Sequence, residues 1–238
     1  MNAKDLVEQI FEEKAKNDSN SRDLARLINT LSKTVFGHIN RFVFELLQNA
    51  DDASTGSDKQ IDVSFRLLEN YLVFSHSGAH FTESDVRGIS GIGNKASEKD
   101  KSVEKTGYKG IGFKSVFGSS DYAHIISGDY SFRFDKRYEG YKNYEEYPWQ
   151  VIPIWTNNPV DEVTTYCDPI RVNTIIAVSN RDIILTEIEK VLKDCQIMLF
   201  LRRIGTITFY DHENIITQLS KGLEEDGVIN LYNNTKRN

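Results

Sequence analysis

Apolar side chains recur at helical spacing through the first 53 residues and at strand spacing after them, and this order limits the fold more than any other feature. Residues 4–16 and 21–31 each carry apolar side chains three and four positions apart, so we predict two amphipathic helices. A third helix is predicted over residues 37–53. Three helices therefore precede the first predicted strand.

Short runs of β-forming residues follow these helices. The runs at 61–65 and 71–74 predict a hairpin, and a capping box at Thr82–Asp85 predicts a short helix through Ile89. The remaining predicted elements are strands at 116–117, 123–126, 130–134, 174–178, 206–210 and 215–219, the last two as a second hairpin, and a long helix over 183–201. This order is typical of an α+β fold with a layer of helices on one face of a mixed sheet.

The length and charge of the chain exclude several classes of protein. Its 238 residues suffice for one large domain or two small ones, and no linker divides them, so we predict a single domain with its core over about residues 20–210. A net charge of −6 gives no global positive field that would draw in nucleic acid. Apolar runs are too short to span a bilayer and no secretory signal is recognisable, so we expect a cytoplasmic protein without a membrane partner.

The two cysteines carry no recognisable metal or redox motif. Cys167 and Cys195 lie 28 residues apart without a CxxC spacing, which argues against a zinc ribbon, a redox motif or a disulfide framework. We predict that both are small core residues.

The predicted third helix has an apolar side and an opposite polar stripe. The apolar side, which we predict to be core, consists of Phe42, Val43, Leu46, Leu47, Ala50 and Ala53. The polar stripe consists of His38, Arg41, Glu45, Gln48, Asn49 and Asp52. It is either a solvated face or a binding surface. As a binding surface, the Asn49 amide oxygen can ligate Mg²⁺, and Glu45 one turn away can accept a proton from a water molecule.

A segment with few apolar residues, 90–114, separates the first hairpin from the next strands. It ends in a G-x-x-G-x-G motif formed by Gly107, Gly110 and Gly112, with Lys109 and Lys114 beside the glycines. Successive backbone N–H groups in such a turn form a concave anion site suited to phosphates. The motif is neither a Walker A loop nor the dinucleotide fingerprint, and a flexible turn between elements explains it equally well.

An aromatic and acidic insertion occupies residues 137–149. Its aromatic members are Tyr138, Tyr141, Tyr144, Tyr147 and Trp149. They form either a surface for a partner, since aromatic residues favour interfaces, or a layer of side chains that covers the edge of the sheet.

Three sequence boxes occur together in the order and spacing of the GHKL ATPases. They are Glu45–Ala53 (ELLQNADDA), the Ser75–Gly78 turn after a strand, and the Thr106–Ser115 loop. The chain therefore resembles this superfamily, which includes the gyrase, heat-shock-ninety, histidine kinase and MutL ATP-binding domains. The amino-acid sequence of the first box and of residues 88–95 and 105–117 is most similar to the sacsin and NO VEIN type branch.

The resemblance implies a two-layer α/β sandwich in which helices cover one face of a mixed, mostly antiparallel sheet and ATP lies between the layers. It implies that Glu45 is the general base, that Asn49 ligates Mg²⁺, and that Asp52 lies near the nucleotide. The further nucleotide contacts that it implies are His76, Gly78, Thr106, Gly107, Tyr108, Lys109, Gly110, Ile111, Gly112, Phe113 and Thr174. Asn94 and Lys95 would belong to a lid over about residues 88–106.

Two positions depart from the pattern of the superfamily. His76 stands where most members carry an aspartate that accepts a hydrogen bond from the adenine amino group, so base selectivity is in question. A neutral histidine can still accept through one ring nitrogen. Asn173 stands in place of a glycine before Thr174, which we expect to crowd the rim of the pocket.

The function expected from this resemblance is ATP binding with slow Mg²⁺-dependent hydrolysis. Nucleotide would close the lid and drive association, either as a homodimer or with downstream domains of a longer protein of which this chain is the N-terminal part. The process served would be chaperone-like or defence-related. The alternative is a scaffold or interaction module that keeps the fold and has altered or absent nucleotide binding.

Overall fold

Helices cover one face of a nine-stranded mixed sheet in the computed structural model, which describes residues 2–34, 40–53, 59–92, 112–141, 146–222 and 229–235. The strands are β1 (Ile61–Leu67), β2 (Tyr71–His76), β3 (Tyr122–Ser127), β4 (Tyr130–Asp135), β5 (Ile154–Trp155), β6 (Val172–Ala177), β7 (Ile204–Asp211), β8 (Asn214–Lys221) and β9 (Leu231–Thr235). They lie in the order β5-β4-β3-β6-β2-β1-β7-β8-β9. The β1–β7 pair is parallel and the others are antiparallel, which confirms the predicted α+β class and the mixed, mostly antiparallel sheet.

Six helices accompany these strands within the described residues. They are α1 (Ala3–Lys14), α2 (Ser19–Thr34), α3 (Asn40–Asp52), α4 (Glu83–Ile89), α5 (Arg181–Leu192) and α6 (Ile197–Phe200), with 3₁₀ helices at Gly112–Gly118, Trp149–Val151 and Asp161–Tyr166. None of the helices in this part of the chain has the length and apolar character that crossing a membrane requires.

The main core lies between the helices and one face of the sheet. Alternate residues of β1, namely Val63, Phe65 and Leu67, are buried there in one cluster with the apolar sides of α1 and α3. The opposite face carries a smaller cluster in which Val73 and Ile175 pack against Val163 of a 3₁₀ helix. The face that the helices cover is therefore the one on which any site between the two layers must lie.

Several sequence predictions are confirmed within these elements. The hairpins β1–β2 and β7–β8 form as expected, and α4 begins at a capping box in which Thr82 and Asp85 exchange hydrogen bonds. The apolar side of α3 is buried from Phe42 to Ala50.

Other element predictions were wrong. Val116 and Phe117 belong to the 3₁₀ helix Gly112–Gly118 and are not in a strand. The helix predicted over 183–201 divides into α5 and α6, because the Asp194 carboxylate accepts the backbone N–H of Gln196 in a local turn that competes with the helix. Strands β5 and β9 and the 3₁₀ helix at Asp161–Tyr166 were not predicted.

The aromatic insertion is a packing layer where the structure describes it. Tyr141 stacks on Tyr147 with ring centroids 4.9 Å apart, and Trp149 packs edge-on against Phe117 at 4.8 Å. All four rings belong to the main core, which supports the second interpretation of this segment. Tyr144 lies outside the described residues.

The cysteines flank the cores and do not lie inside them. Cys167 and Cys195 are free and partly buried, the first beside the smaller cluster and the second beside the main core. The prediction that they are core residues was therefore too strong.

One carboxylate fixes the end of α3 against the sheet. Asp51 accepts the backbone N–H groups of Arg202 at 2.9 Å, Arg203 at 2.6 Å and Ile204 at 3.0 Å. These hydrogen bonds are charge-assisted, which makes them stronger than neutral ones. They hold the helix where β7 begins to pair with β1.

We expect Asp51→Ala to lower the free energy of unfolding by about 2–3 kcal/mol, because it leaves backbone donors without their charged acceptor. Denaturant unfolding measures the change. Asp23→Ala in α2 is the matched control, since its exposed pair with Arg26 is worth under about 1 kcal/mol. Equal losses in the two variants would contradict the anchoring role of Asp51.

Candidate functional site

The polar stripe of α3 is partly covered and not fully solvated. Glu45, Gln48, Asn49 and Asp52 are each half-buried, whereas Arg41 at the start of the stripe is exposed. His38, the remaining member, lies outside the described residues. The stripe is therefore not a freely solvated face, and its role as a binding surface stays a prediction.

The end of the glycine motif meets this stripe at Glu45. A Cβ atom built on Gly112 would lie 2.1 Å from Glu45 Oε2, so the carboxylate occupies the space directly beside the glycine backbone. Burial raises the pKa of Glu45, and the Arg41 guanidinium, 3.8 Å from Oε1, opposes that rise. A half-buried carboxylate with a raised pKa is a suitable proton acceptor at neutral pH.

We expect Gly112→Ala to push the Glu45 carboxylate out of its place, because no Cβ fits there. The carboxylate is the far end of a flexible side chain, so the fold should tolerate the change. Carboxyl-carbon NMR titration should show the Glu45 pKa falling back toward its ordinary value as the group becomes solvated. Gly222→Ala is the control, since its Cβ would meet neighbours only at 3.7 Å. A Glu45 titration that is the same in both variants would refute the close contact.

The turn after β2 contacts the C-terminal end of α3. The backbone N–H of Ala79 donates to the Ala53 carbonyl at 3.0 Å. A Cβ on Gly78 would lie 3.3 Å from Ala53 Cβ and 3.0 Å from His76 Nδ1, so a glycine permits this close approach. Glu45 and Ala53 are eight residues apart, which places the two contacts about 12 Å from each other along the helix.

His76 lies on the face of the sheet that the helices cover. It pairs with Val63 of β1, and its ring centroid is 5.9 Å from that of Phe74. The side chain is 4% exposed, and burial, with the nearby Arg171 charge, lowers its pKa to about 3. His76 is therefore neutral at physiological pH.

The stability of the protein should fall on acidification. Burial lowers the pKa of His76 to about 3 and that of His124 to about 4, both from 6.5. Between pH 6.5 and those values the unfolded chain binds protons that the folded chain does not, so stability is lost as the pH falls through this window. Each histidine should cost about 2 kcal/mol between pH 7 and 5.

Denaturant unfolding at pH 7 and pH 5 measures this loss. The variant His124→Gln should show a smaller difference between the two pH values than the wild type, because one titrating group is gone. A wild-type stability that does not decline between pH 7 and 5 would contradict the burial of neutral histidines.

Thr174 lies on the same face as His76, and Asn173 does not. Thr174 pairs with Phe74 of β2, which puts it diagonal to His76 at about 7–8 Å. Asn173 points to the opposite face, where it accepts from Ser75 Oγ at 2.5 Å and donates to the Asp168 carbonyl at 2.8 Å. The expectation that Asn173 crowds the rim of the site was therefore wrong.

Lys114, next to the glycine motif, serves the core. Its ammonium donates to the backbone carbonyls of Ile89 and, at 2.7 Å, Gln150, and lies 4.8 Å from the centroid of Phe134. Complete burial lowers the pKa of Lys114 well below its ordinary value. This role was missed because lysine is rarely buried, although the apolar residues around it in Phe113–Phe117 give the signal. Phe113 is likewise a core residue.

Part of the predicted site lies outside the described residues. This part consists of Asn94, Lys95, Thr106, Gly107, Tyr108, Lys109, Gly110 and Ile111, with most of the predicted lid. Two clefts on the described surface, of about 210 and 440 Å³, border residues of α1 and contain none of the predicted site residues. The candidate site therefore rests on two sets of contacts. One brings Glu45 to Gly112, and the other brings His76, Gly78 and Ala53 together.

The segment that carries these contacts is similar to a known family. Residues 58–175 match the Sacsin domain. The Sacsin-domain match begins just before β1 and includes His76, Gly112 and Thr174. Helix α3, with Glu45 and Asn49, precedes it.

Two relatives accompany the Sacsin-domain match. The chain is 34% identical to Protein NO VEIN of Arabidopsis thaliana over 112 residues, which are 47% of this chain and 4% of that protein. It is 36% identical to Sacsin of Homo sapiens over 97 residues, which are 36% of this chain and 2% of that protein. The chain thus spans a small fraction of either relative. These similarities support the sacsin-like branch to which the sequence boxes pointed.

Proposed function

We propose that this chain is a GHKL-type module that binds ATP and hydrolyses it slowly with Mg²⁺. The observation that carries the proposal is the contact between the Glu45 carboxylate and the backbone at Gly112. Two sequence boxes 67 residues apart, one acidic and one rich in glycine, meet at this point. A nucleotide phosphate placed against the glycine backbone would lie next to a carboxylate that accepts protons.

The donor atoms of α3 suit a magnesium ion. Mg²⁺ prefers oxygen ligands and keeps several of its water molecules, so one amide oxygen and the phosphates suffice for its binding. Asn49 supplies that amide oxygen one turn from Glu45, and Asp52 adds a carboxylate close to one turn further on. When bound, the ion neutralises the charge on the phosphates.

Glu45 would act as the general base. Its partial burial raises its pKa and makes it a better proton acceptor than an exposed glutamate, while the Arg41 guanidinium opposes that rise. Phosphoryl transfer depends mainly on positioning and electrostatic stabilisation. The Lys114 ammonium is held by backbone carbonyls in the core and is therefore not available to the phosphates, which supports slow turnover.

The hydrolysis would serve conformational control and not metabolism. We propose that nucleotide binding orders the lid and drives association, as a homodimer or with downstream domains, in a chaperone-like or defence-related process in the cytoplasm. The lengths of Protein NO VEIN and Sacsin, of which this chain matches 4% and 2%, support a module that works within larger proteins.

Substitutions on α3 separate binding from hydrolysis. We expect Asn49→Ala to abolish Mg²⁺-dependent ATP binding, and Glu45→Ala to keep binding and lose hydrolysis, because the first removes a ligand of the ion and the second removes the base. Calorimetry measures binding and phosphate release measures turnover.

The matched control is Gln48→Ala, which removes an amide from the same half-buried stripe. It should leave both binding and turnover close to the wild type. If Asn49→Ala and Glu45→Ala also behave like the wild type, the assignment of the site is wrong.

The alternative is a scaffold that keeps the fold without hydrolysing a nucleotide. The observation that favours it is the neutral, buried His76 at the position of the usual aspartate. A thermal-shift screen of ATP, ADP, GTP and CTP with Mg²⁺ separates the two proposals, since a ligand at 100 times its Kd adds about 2.7 kcal/mol of stability. No shift with any nucleotide would favour the scaffold.

A further inference from the structure

The two edges of the sheet differ in how they are protected. β5, at one edge, is two residues long, follows Pro153 and packs against α1. A short strand, a proline and a covering helix are devices that prevent an edge from pairing with another chain. β9, at the other edge, is five residues long, and its sequence LYNNT contains neither proline nor a charged residue. Its pairing with β8 also runs without a bulge.

The register with β8 shows which backbone groups of β9 point away from the sheet. The Gly222 N–H donates to the Asn230 carbonyl at 2.8 Å, so these two residues form a hydrogen-bonded pair. In an antiparallel ladder such pairs recur at every second residue. The N–H and C=O groups of Leu231, Asn233 and Thr235 therefore point outward. Within the described part of the chain β9 is the last strand of the sheet, so no further strand takes these groups.

The side chains of β9 leave this edge accessible. The Asn233 amide is turned toward the helices, where it donates to the Lys193 carbonyl at 3.3 Å, and Thr235 Oγ1 donates to Asn233 Oδ1 at 2.6 Å. Tyr232 lies on the opposite face and is 51% exposed. Because strand side chains stand above and below the sheet, an extended segment can lie along the edge without displacing these contacts.

The charges on either side of β9 in the sequence favour one kind of partner. Glu224, Glu225 and Asp226 precede the strand, and Lys236 and Arg237 follow it. When two copies of β9 pair in antiparallel orientation, the basic end of each copy is next to the acidic end of the other. Parallel pairing would set like charges together. The order of charges is therefore complementary to that of a second, antiparallel copy.

We propose that β9 pairs with β9 of a second copy of this chain, antiparallel about a two-fold axis at Asn233. In this register Leu231 of each copy faces Thr235 of the other, Asn233 faces its own counterpart, and each pair exchanges two hydrogen bonds. The interface uses the open edge of both copies, so association ends at a dimer. This inference goes beyond the proposed function, because no nucleotide takes part in the pairing.

Sedimentation of the 238-residue chain without nucleotide or Mg²⁺ tests the pairing. A short strand pair makes a small interface, so we expect a reversible monomer–dimer equilibrium between about 1 µM and about 1 mM protein. Asn233→Pro removes the outward N–H of the central pair and leaves the hydrogen bonds to β8, since residue 233 donates away from β8. It should weaken the dimer by about tenfold or more. Asn233→Ala removes the same side chain, keeps the N–H and should dimerise like the wild type.

Amide hydrogen exchange tests the register. The N–H groups of Leu231, Asn233 and Thr235 should exchange fast in dilute protein and become protected as the concentration rises. Those of Tyr232 and Asn234, which are bonded to β8, should be protected at both concentrations. Protection of the three outward amides that does not change with concentration would overturn the proposal.

The other outcomes are equally decisive. If Asn233→Pro does not fold, Thr235→Pro replaces it, since it removes an outward N–H at the last residue of the strand. A wild type that stays monomeric, a dimer that the proline variant leaves intact, or assemblies larger than a dimer would each overturn the pairing of β9 with itself. A dimer that forms only with ATP and Mg²⁺ would overturn it as well, and would support association driven by nucleotide instead.

Discussion

The close approach of the Glu45 carboxylate to the Gly112 backbone is the contact on which the rest of the site depends. It exists because residue 112 has no side chain and because Glu45 lies on the half-buried side of α3. Both conditions are set locally, one by the 3₁₀ helix that begins at Gly112 and one by the helical period of α3. The core holds Gly112 and Glu45 together, since the residues that follow them, Phe113 and Leu46, pack in one cluster.

Helix α3 is tied to the sheet at its C-terminal end by two sets of polar contacts. Asp51 binds three backbone donors at the start of β7, and Ala53 binds the turn that carries Gly78. An amphipathic helix held only by its apolar face could slide or rotate over the strands. These polar contacts fix its position along its axis, so the spacing between Glu45 and the His76 turn is a property of the fold and does not depend on a ligand.

The sequence was sufficient to predict what depends on local periodicity. It predicted α3 and its buried side, the two hairpins and the capping box of α4, because each is encoded within a few residues. It could not predict the role of Asp51 or the burial of Lys114, since these depend on partners far away in the chain. It also missed the break after Leu192, where the local turn at Asp194 competes with the helix. It placed Asn173 on the wrong face of the sheet. The face to which a strand residue points is uncertain until the register is known, here the pairing of Asn173 with Ser75. In the site, it proposed that the α3 carboxylate and the glycine motif act together, but it did not predict the burial of His76.

The single parallel pairing in the sheet has a consequence for how the molecule is made. β1 emerges from the ribosome early, yet one of its two neighbours, β7, begins only at Ile204. Until then β1 has an open edge beside the first hairpin, and such edges invite pairing with other chains. Contacts this distant in sequence also slow folding. During synthesis the chain therefore passes through a long interval in which β1 and β2 are present but the middle of the sheet is incomplete.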